Sequence, residues 1–288
     1  MPGSACTHHR REGPAGRCLA DGAAARRAGP GPTYGAADPR WRAVCTVMDT
    51  PTAPGRLLLI PAPLSSAAPE AVLPARVLEA TRRLRVFVVE NGKTARQVLK
   101  WLHHPGPLAE LQMTTLDEHT RAAEIPALLS PLAAGRDMGL MSEAGCPGVA
   151  DPGAVLVRAA HEAGYVVEPA VGPSALLLAL MASGLNGQRF AFHGYLPIPS
   201  DARCASLVAL ERRSARDGET QIWIETPYRN DALFRDVVAA LQPTTRVCVA
   251  SGLTGPDEQI QTRSVAAWRR APPVIGKAPT VFLLLSCA

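Results

Sequence analysis

SEAGCPGVADPG, residues 142–153, follows the apolar run MGLM and precedes a segment of helical spacing, so the chain passes from strand to helix through a loop rich in glycine and proline. Ligands of open α/β sheets bind where strands end, because glycines there let the backbone come close and leave N–H groups free. A plain connecting turn accounts for Asp151, as the cap of the next helix, and for Pro152. It accounts poorly for residues 142–148, since most such turns need only about 2–6 residues. Neither GxGxxG nor GxxxxGK(S/T) occurs, which disfavours a dinucleotide or a nucleoside triphosphate and leaves a nucleoside ligand without a pyrophosphate.

The alternation of strand and helix continues on both sides of this loop. Strand-like runs at 56–60, 85–89, 113–116, 138–142 and 166–170 enclose helical patterns at 94–102, 122–133 and 153–163. Continuous apolar strands with helical crossovers predict a mainly parallel sheet covered on both faces. A second series follows, with a helix at 174–183 capped by Ser174, strands at 190–193, 221–225, 246–250 and 280–285, and helices at 231–241 and 265–268. The expected fold class is α/β: two tandem α/β domains with mainly parallel or mixed sheets and a ligand cleft between them. Residues 56–171 make the N-terminal domain and 172–288 the C-terminal one. Residues 1–55 read as a tail, in which 1–47 are rich in Gly, Pro, Ala and Arg and have no helical or strand period. That segment is expected to be unstructured, or to be sequence upstream of a start at Met48.

Composition narrows the class of protein. The hydrophobic fraction is 47 %, yet no uninterrupted apolar run approaches the ~20 residues of a membrane span. The seven cysteines are odd in number, scattered and never arranged as CxxC. That pattern argues against a disulfide framework or a zinc site and for reduced thiols in the cytoplasm. The net charge of +5 is concentrated before Met48, where seven arginines face three acids, and the remainder carries only +1. A nucleic-acid partner would therefore need a local basic patch.

Three further stretches carry candidates. GPSALLLALMASGL, residues 172–185, reads as a helix that is apolar or small all round and so buried on every side. Ser174 and Ala175 at its start are small enough for a ligand to approach the backbone. WIETPYRNDAL, residues 223–233, is a strand running into a polar turn, and Glu225 at the strand end is either a cleft acid or a solvated loop acid. His193, also at a strand end, reads as structural.

Taken in order, LLLIPAPL, VVENGKTARQVLK, MSEAGCPGVADPG, GPSALLLALMASGL, FHGYLP and WIETPYR resemble the tetrapyrrole methylase superfamily of methyltransferases, over roughly residues 56–286. The branch they look most like methylates the ribose 2′-hydroxyl of a cytidine in small-subunit ribosomal RNA. The resemblance implies two α/β domains, frequent pairing as a homodimer, and S-adenosylmethionine held in the interdomain cleft. By position it implies cofactor contacts from Pro61, from Ser142, Glu143, Ala144, Gly145, Cys146 and Pro147, and from Ser174 and Ala175. Three loops depart from the ribosomal branch's pattern. Pro61-Ala62-Pro63-Leu64 replaces Pro-Ile-Gly-Asn, Glu90-Asn91-Gly92-Lys93 replaces Glu-Asp-Thr-Arg, and 251–255 loses three charges.

Methyl transfer from a sulfonium depends on in-line positioning more than on acid–base chemistry. A ribose hydroxyl is nevertheless a weak nucleophile and gains from a base or from nearby positive charge. The catalytic candidates are Glu90 as base or orienter, Lys93 as a contact to phosphate or to the developing alkoxide, and Glu225 as a further cleft acid. Three functions stay open at this point: an RNA 2′-O-methyltransferase, a small-molecule methyltransferase of the tetrapyrrole type, and a cofactor-binding protein without catalysis. The expected protein is cytoplasmic, a homodimer, without metal or membrane.

Overall fold

The structure, a computed structural model, describes residues 53–286. The expectation of an unstructured tail or a later start falls on residues outside that range, except for 53–55. Gly55 donates its N–H to the carbonyl of Leu132 at 2.9 Å.

The first half is built on a five-stranded, all-parallel sheet of order β3-β2-β4-β1-β5. Its strands are β1 (Leu57–Leu59), β2 (Val86–Val89), β3 (Gln112–Thr115), β4 (Met138–Met141) and β5 (Val167–Pro169). Successive strand residues point to opposite faces, and both faces are apolar. Leu58, Ile60, Phe87, Val89 and Met141 pack under α2 (Ala75–Arg83) and α3 (Gly92–Trp101). Leu57, Val86, Val88, Met138 and Leu140 pack under α4 (Ile125–Leu128), α5 (Ser130–Ala133) and α6 (Gly153–Glu162). The short α1 (Pro69–Val72) precedes α2.

The helix expected at 122–133 is broken into a 3₁₀ turn, Ala122–Glu124, followed by α4 and α5. Pro126 and Pro131 stand at the starts of α4 and α5. Proline is tolerated in a first helical turn but breaks a helix interior, so each one restarts the chain.

The second half carries a mixed sheet of order β6-β7-β10-β8-β9. Its strands are β6 (Phe190–Tyr195), β7 (Thr220–Glu225), β8 (Arg246–Ser251), β9 (Gln259–Ser264) and β10 (Thr280–Leu285). Only β6 and β7 run parallel; β10 is antiparallel to both β7 and β8, and β8 to β9. One face is covered by α8 (Ser200–Asp217), α9 (Asn230–Ala240) and α10 (Val265–Arg270), around a Trp223–Phe282 stack at 5.9 Å. On the other, α7 (Ala175–Ser183) is the one helix among the described residues, packed with Leu64 and Leu253. The expectation that α7 is buried on every side does not hold: Leu177 is 51 % and Met181 79 % exposed. A single helix on a sheet buries one stripe and leaves its far side to solvent. No helix of the described residues is long and apolar enough to cross a membrane.

Candidate functional site

Strand order decides which loops meet. Because β4 lies between β2 and β1, its loop is flanked by Glu90 at the end of β2 and by residues 61–64 after β1. This is the carboxyl edge of a parallel sheet, where ligands of such folds bind.

The β4 loop is fixed from three directions. Ala62 donates its N–H to the carbonyl of Gly145 at 2.8 Å, and Gly145 returns its own to the carbonyl of Ala62 at 3.2 Å. Gly145 holds φ at +71°, a conformation that favours glycine. Asp151 folds the loop's far end back on itself, accepting the N–H of Gly148 at 2.8 Å and of Gly153 at 2.6 Å. Glu90 accepts the N–H of Glu143 at 3.1 Å, and Thr94 donates its hydroxyl to Glu143 at 3.3 Å. The Cys146 thiol faces the carbonyl of Pro173 at 3.5 Å, and burial pushes its pKa up.

The second sheet supplies the opposite wall of a cavity of about 520 Å³. Leu176 on α7, Phe192 and Tyr195 on β6, Ile224 to Pro227 at the end of β7, Leu253, and Pro279 to Val281 at the start of β10 line it. Leu64, from the loop after β1, packs into the same apolar cluster as α7. The Ser65 and Thr254 hydroxyls meet at 3.0 Å.

Of the residues singled out in the sequence, Glu90, Ser142, Glu143, Ala144, Gly145, Cys146, Ser174, Ala175 and Glu225 line this cavity. Pro61, Pro147 and Lys93 do not. Pro61 is buried against Gly172, where an added Cβ would stand 2.4 Å from its own. Pro147 is buried within the loop, and Lys93 is exposed in the first turn of α3. Asn91 caps that helix, accepting the N–H groups of Lys93 and Thr94 at 2.9 and 3.3 Å. An asparagine is as good a cap as an aspartate, so the amide in this loop keeps the helix start intact.

Glu225 differs from an open cleft acid, because only 1 % of its side chain is exposed. Its Oε1 accepts the N–H of Thr226 at 2.6 Å and the Arg229 guanidinium at 2.5 Å, which braces the turn leading into α9. His193 is paired with the side chain of Gln221 at 2.6 Å.

Electrostatics define the ligand the cavity suits. Glu90, Glu143, Asp151 and Glu225 are among its lining residues, and no lysine or arginine is. Burial raises the Glu90 pKa; the Glu143 N–H opposes this, and the charges of Glu143 and Asp151 add to it. Asp151 is likewise raised by burial, against the N–H groups that it accepts. Glu225 is already paired with Arg229, so Glu90, Glu143 and Asp151 are the acids with no ion pair among the described residues; they favour a ligand that brings positive charge and repel a phosphate. The volume is that of a nucleoside-sized molecule.

Leu64, Tyr195, Leu253, Thr280 and Val281 fall in stretches already read as a loop, a motif or a strand, but nothing in the sequence marks them, with Pro279, as parts of one apolar wall. They converge because β10, last in the chain, is inserted between β7 and β8.

No family model matches the chain. The ribosomal RNA small subunit methyltransferase I of Escherichia coli O157:H7 is 33 % identical over 217 residues, 74 % of this chain and 72 % of that protein. The protein of the same name from Xylella fastidiosa is 33 % identical over 70 % of this chain and 69 % of its own length. The crystal structure of the methyltransferase CobJ superposes with a TM-score of 0.53 over 81 % of this chain and 95 % of that one, at 20 % identity, and so shares the fold. With a third of the aligned residues identical to those of such relatives, over more than two thirds of the relatives' length, the chain belongs to the ribosomal RNA small subunit methyltransferase I family.

Proposed function

We propose that this chain is a cytoplasmic, S-adenosylmethionine-dependent methyltransferase that modifies a ribose 2′-hydroxyl of small-subunit ribosomal RNA. The observation that carries this reading is the acid-lined, nucleoside-sized cavity walled by the loop that links β4 to α6. A sulfonium and an ammonium group suit the carboxylates of Glu90, Glu143 and Asp151, and a purine suits the apolar wall of Leu176, Phe192, Ile224 and Leu253. The backbone of Ala144, Gly145 and Cys146, with Ser142, Glu143, Ser174 and Ala175, would hold the cofactor, with Pro61 and Pro147 shaping the loops beneath. We take residues 56–171 and 172–288 as the two domains that form the cleft.

When bound, S-adenosylmethionine supplies a methyl group already activated by a positive sulfur. The protein's own part is to place the acceptor and manage one proton. Glu90 lines the cavity and its burial makes it a stronger base than a free carboxylate, so it accepts the proton that the ribose hydroxyl gives up. Lys93 lies just outside, where it contacts a phosphate of the acceptor. Glu225 acts as a positioning residue through Arg229 and the turn that both brace. The exposed apolar face of α7, centred on Leu177 and Met181, is read as the surface that pairs two copies.

The test is transfer of labelled methyl groups into small ribosomal subunits from a strain lacking the gene. The expected product is label in the RNA at a nucleotide whose 3′ phosphodiester resists alkali, since the 2′-hydroxyl is blocked. Label in a tetrapyrrole and none in RNA favours the small-molecule reading. Cofactor bound with no acceptor labelled favours the non-catalytic one.

A further inference from the structure

An acid-lined cavity that repels phosphate raises the question of where the strand attached to the acceptor nucleoside runs. We propose that the exposed face of α3 is a track for the RNA backbone, with Lys93, Arg96 and Lys100 each facing a phosphate. This rests on the reading of RNA as the acceptor and adds the surface that holds it.

Four observations support the track. Lys93, Arg96 and Lys100 are exposed and stand at intervals of three and four, the spacing of one helix face, while Ala95, Val98 and Leu99 are buried. α3 contains no acid, and none of the three cations forms an ion pair with a described residue. The row begins at the cavity, since Asn91 caps α3 one residue after Glu90, and Thr94 is bonded to Glu143. Finally, Lys93 opposes the dipole at the helix start, a placement that stability alone does not favour. At 1.5 Å per residue the row runs for about 10 Å along the helix, enough for successive phosphates of a single strand.

The competing basic surface is poorly placed. Arg56, Arg83, Arg85 and Arg136 line a cavity at the opposite edge of the first sheet, where β1, β2 and β4 begin. Arg56 is already bound to Asp137 at 2.7 Å and to Glu168 at 2.9 Å.

The experiment measures binding to protein-free small-subunit ribosomal RNA and to intact small subunits across a salt series. It uses the wild type, the double variant Arg96→Gln/Lys100→Gln, and the far-edge control Arg83→Gln/Arg136→Gln. Lost phosphate contacts flatten the dependence of log affinity on log salt by about 0.7 each for single strands. The α3 variant is expected to lose about 1.4 from the slope, with S-adenosylhomocysteine affinity unchanged and the control unaltered. Arg96→Lys/Lys100→Arg is expected to keep the wild-type slope. An α3 variant with the wild-type slope, or a control that loses as much, overturns the track while leaving the acceptor reading standing. A loss seen only on intact subunits, and not on bare RNA, assigns the face to a ribosomal protein and also overturns it. A wild type with no salt-dependent binding to either bare RNA or intact subunits overturns the acceptor reading and the track together.

Discussion

The backbone N–H of Glu143 points at Oε2 of Glu90 across 3.1 Å, so the loop expected to hold the cofactor also orients the acid expected to take the proton. Glu90 nonetheless sits above its ordinary pKa, because burial and the charges of Glu143 and Asp151 outweigh that N–H. A carboxylate raised in this way binds its proton more tightly in the folded chain than in the unfolded one. Stability therefore falls as pH rises from the unfolded value to the folded one. The penalty begins above the ordinary carboxylate range, is complete once the pH exceeds the raised folded value, and is absent below the ordinary range. Glu90→Gln is expected to raise the melting temperature at pH 7, with the gain vanishing as the pH is lowered to about 4. The same variant is expected to lose methyl transfer by about a hundredfold or more, with cofactor affinity near wild type. Calorimetry at several pH values, set beside a single-turnover assay, checks both.

Asp151 is the clasp of the β4 loop. Asp151→Ala frees the N–H groups of Gly148 and Gly153. Hydrogen bonds to a charged group contribute about 1.5–3 kcal/mol each, less here because ionised Asp151 is itself disfavoured by burial, so a net loss of about 2 kcal/mol is expected. Denaturant melts measure that, and calorimetric titration should register weaker cofactor binding.

Gly172, on the segment linking β5 to α7, packs against Pro61 too closely to admit a side chain. Gly172→Ala would place a Cβ 2.4 Å from the Pro61 Cβ and 2.9 Å from Leu73. Overpacking of this kind costs about 1–3 kcal/mol, and the denaturation midpoint should fall accordingly.

Asn230 is fully buried and donates to the carbonyls of Gly276 at 3.1 Å and Ala278 at 2.8 Å. It thereby holds the segment that enters β10 and the cavity wall at Pro279. Asn230→Ala leaves those acceptors without a partner and is expected to cost about 1–3 kcal/mol. A cofactor affinity reduced in the folded variant would tie the anchor to the site.

Pairing through α7 has its own test. Leu177→Glu/Met181→Glu puts two charges on the exposed apolar face, and the mass in solution is expected to drop from dimer to monomer by light scattering. An unchanged mass locates pairing elsewhere.

Much of the first half was readable because parallel strands buried on both faces are continuous apolar words, such as VFVV at 86–89. α8 was not readable, although it is 18 residues long. Its buried side includes Arg203, Glu211 and Ser214, with Leu207 the only fully buried apolar side chain among them. Arg203 bonds Asp236 and the carbonyl of Ile198, Glu211 accepts from Gln242 and Thr245, and Ser214 accepts from Ser286. Polar side chains that find partners are tolerated on a buried face, and they erase the apolar period by which a helix is recognised. β9 was missed for a related reason: QIQTRS is an edge strand, exposed at every other residue, and too polar to stand out. The candidate site divides the same way. Its acidic, glycine-rich wall is local in sequence and was legible, whereas its apolar wall is assembled by long-range strand insertion.

The reciprocal pair of hydrogen bonds between Ala62 and Gly145 joins two loops that belong to no regular strand. Amides at these positions are thus expected to exchange with deuterium as slowly as those of the neighbouring strands, before any ligand arrives. A wall that is already ordered adds little entropy loss to association. Most of the heat-capacity change on binding should then come from covering the apolar wall on the other side.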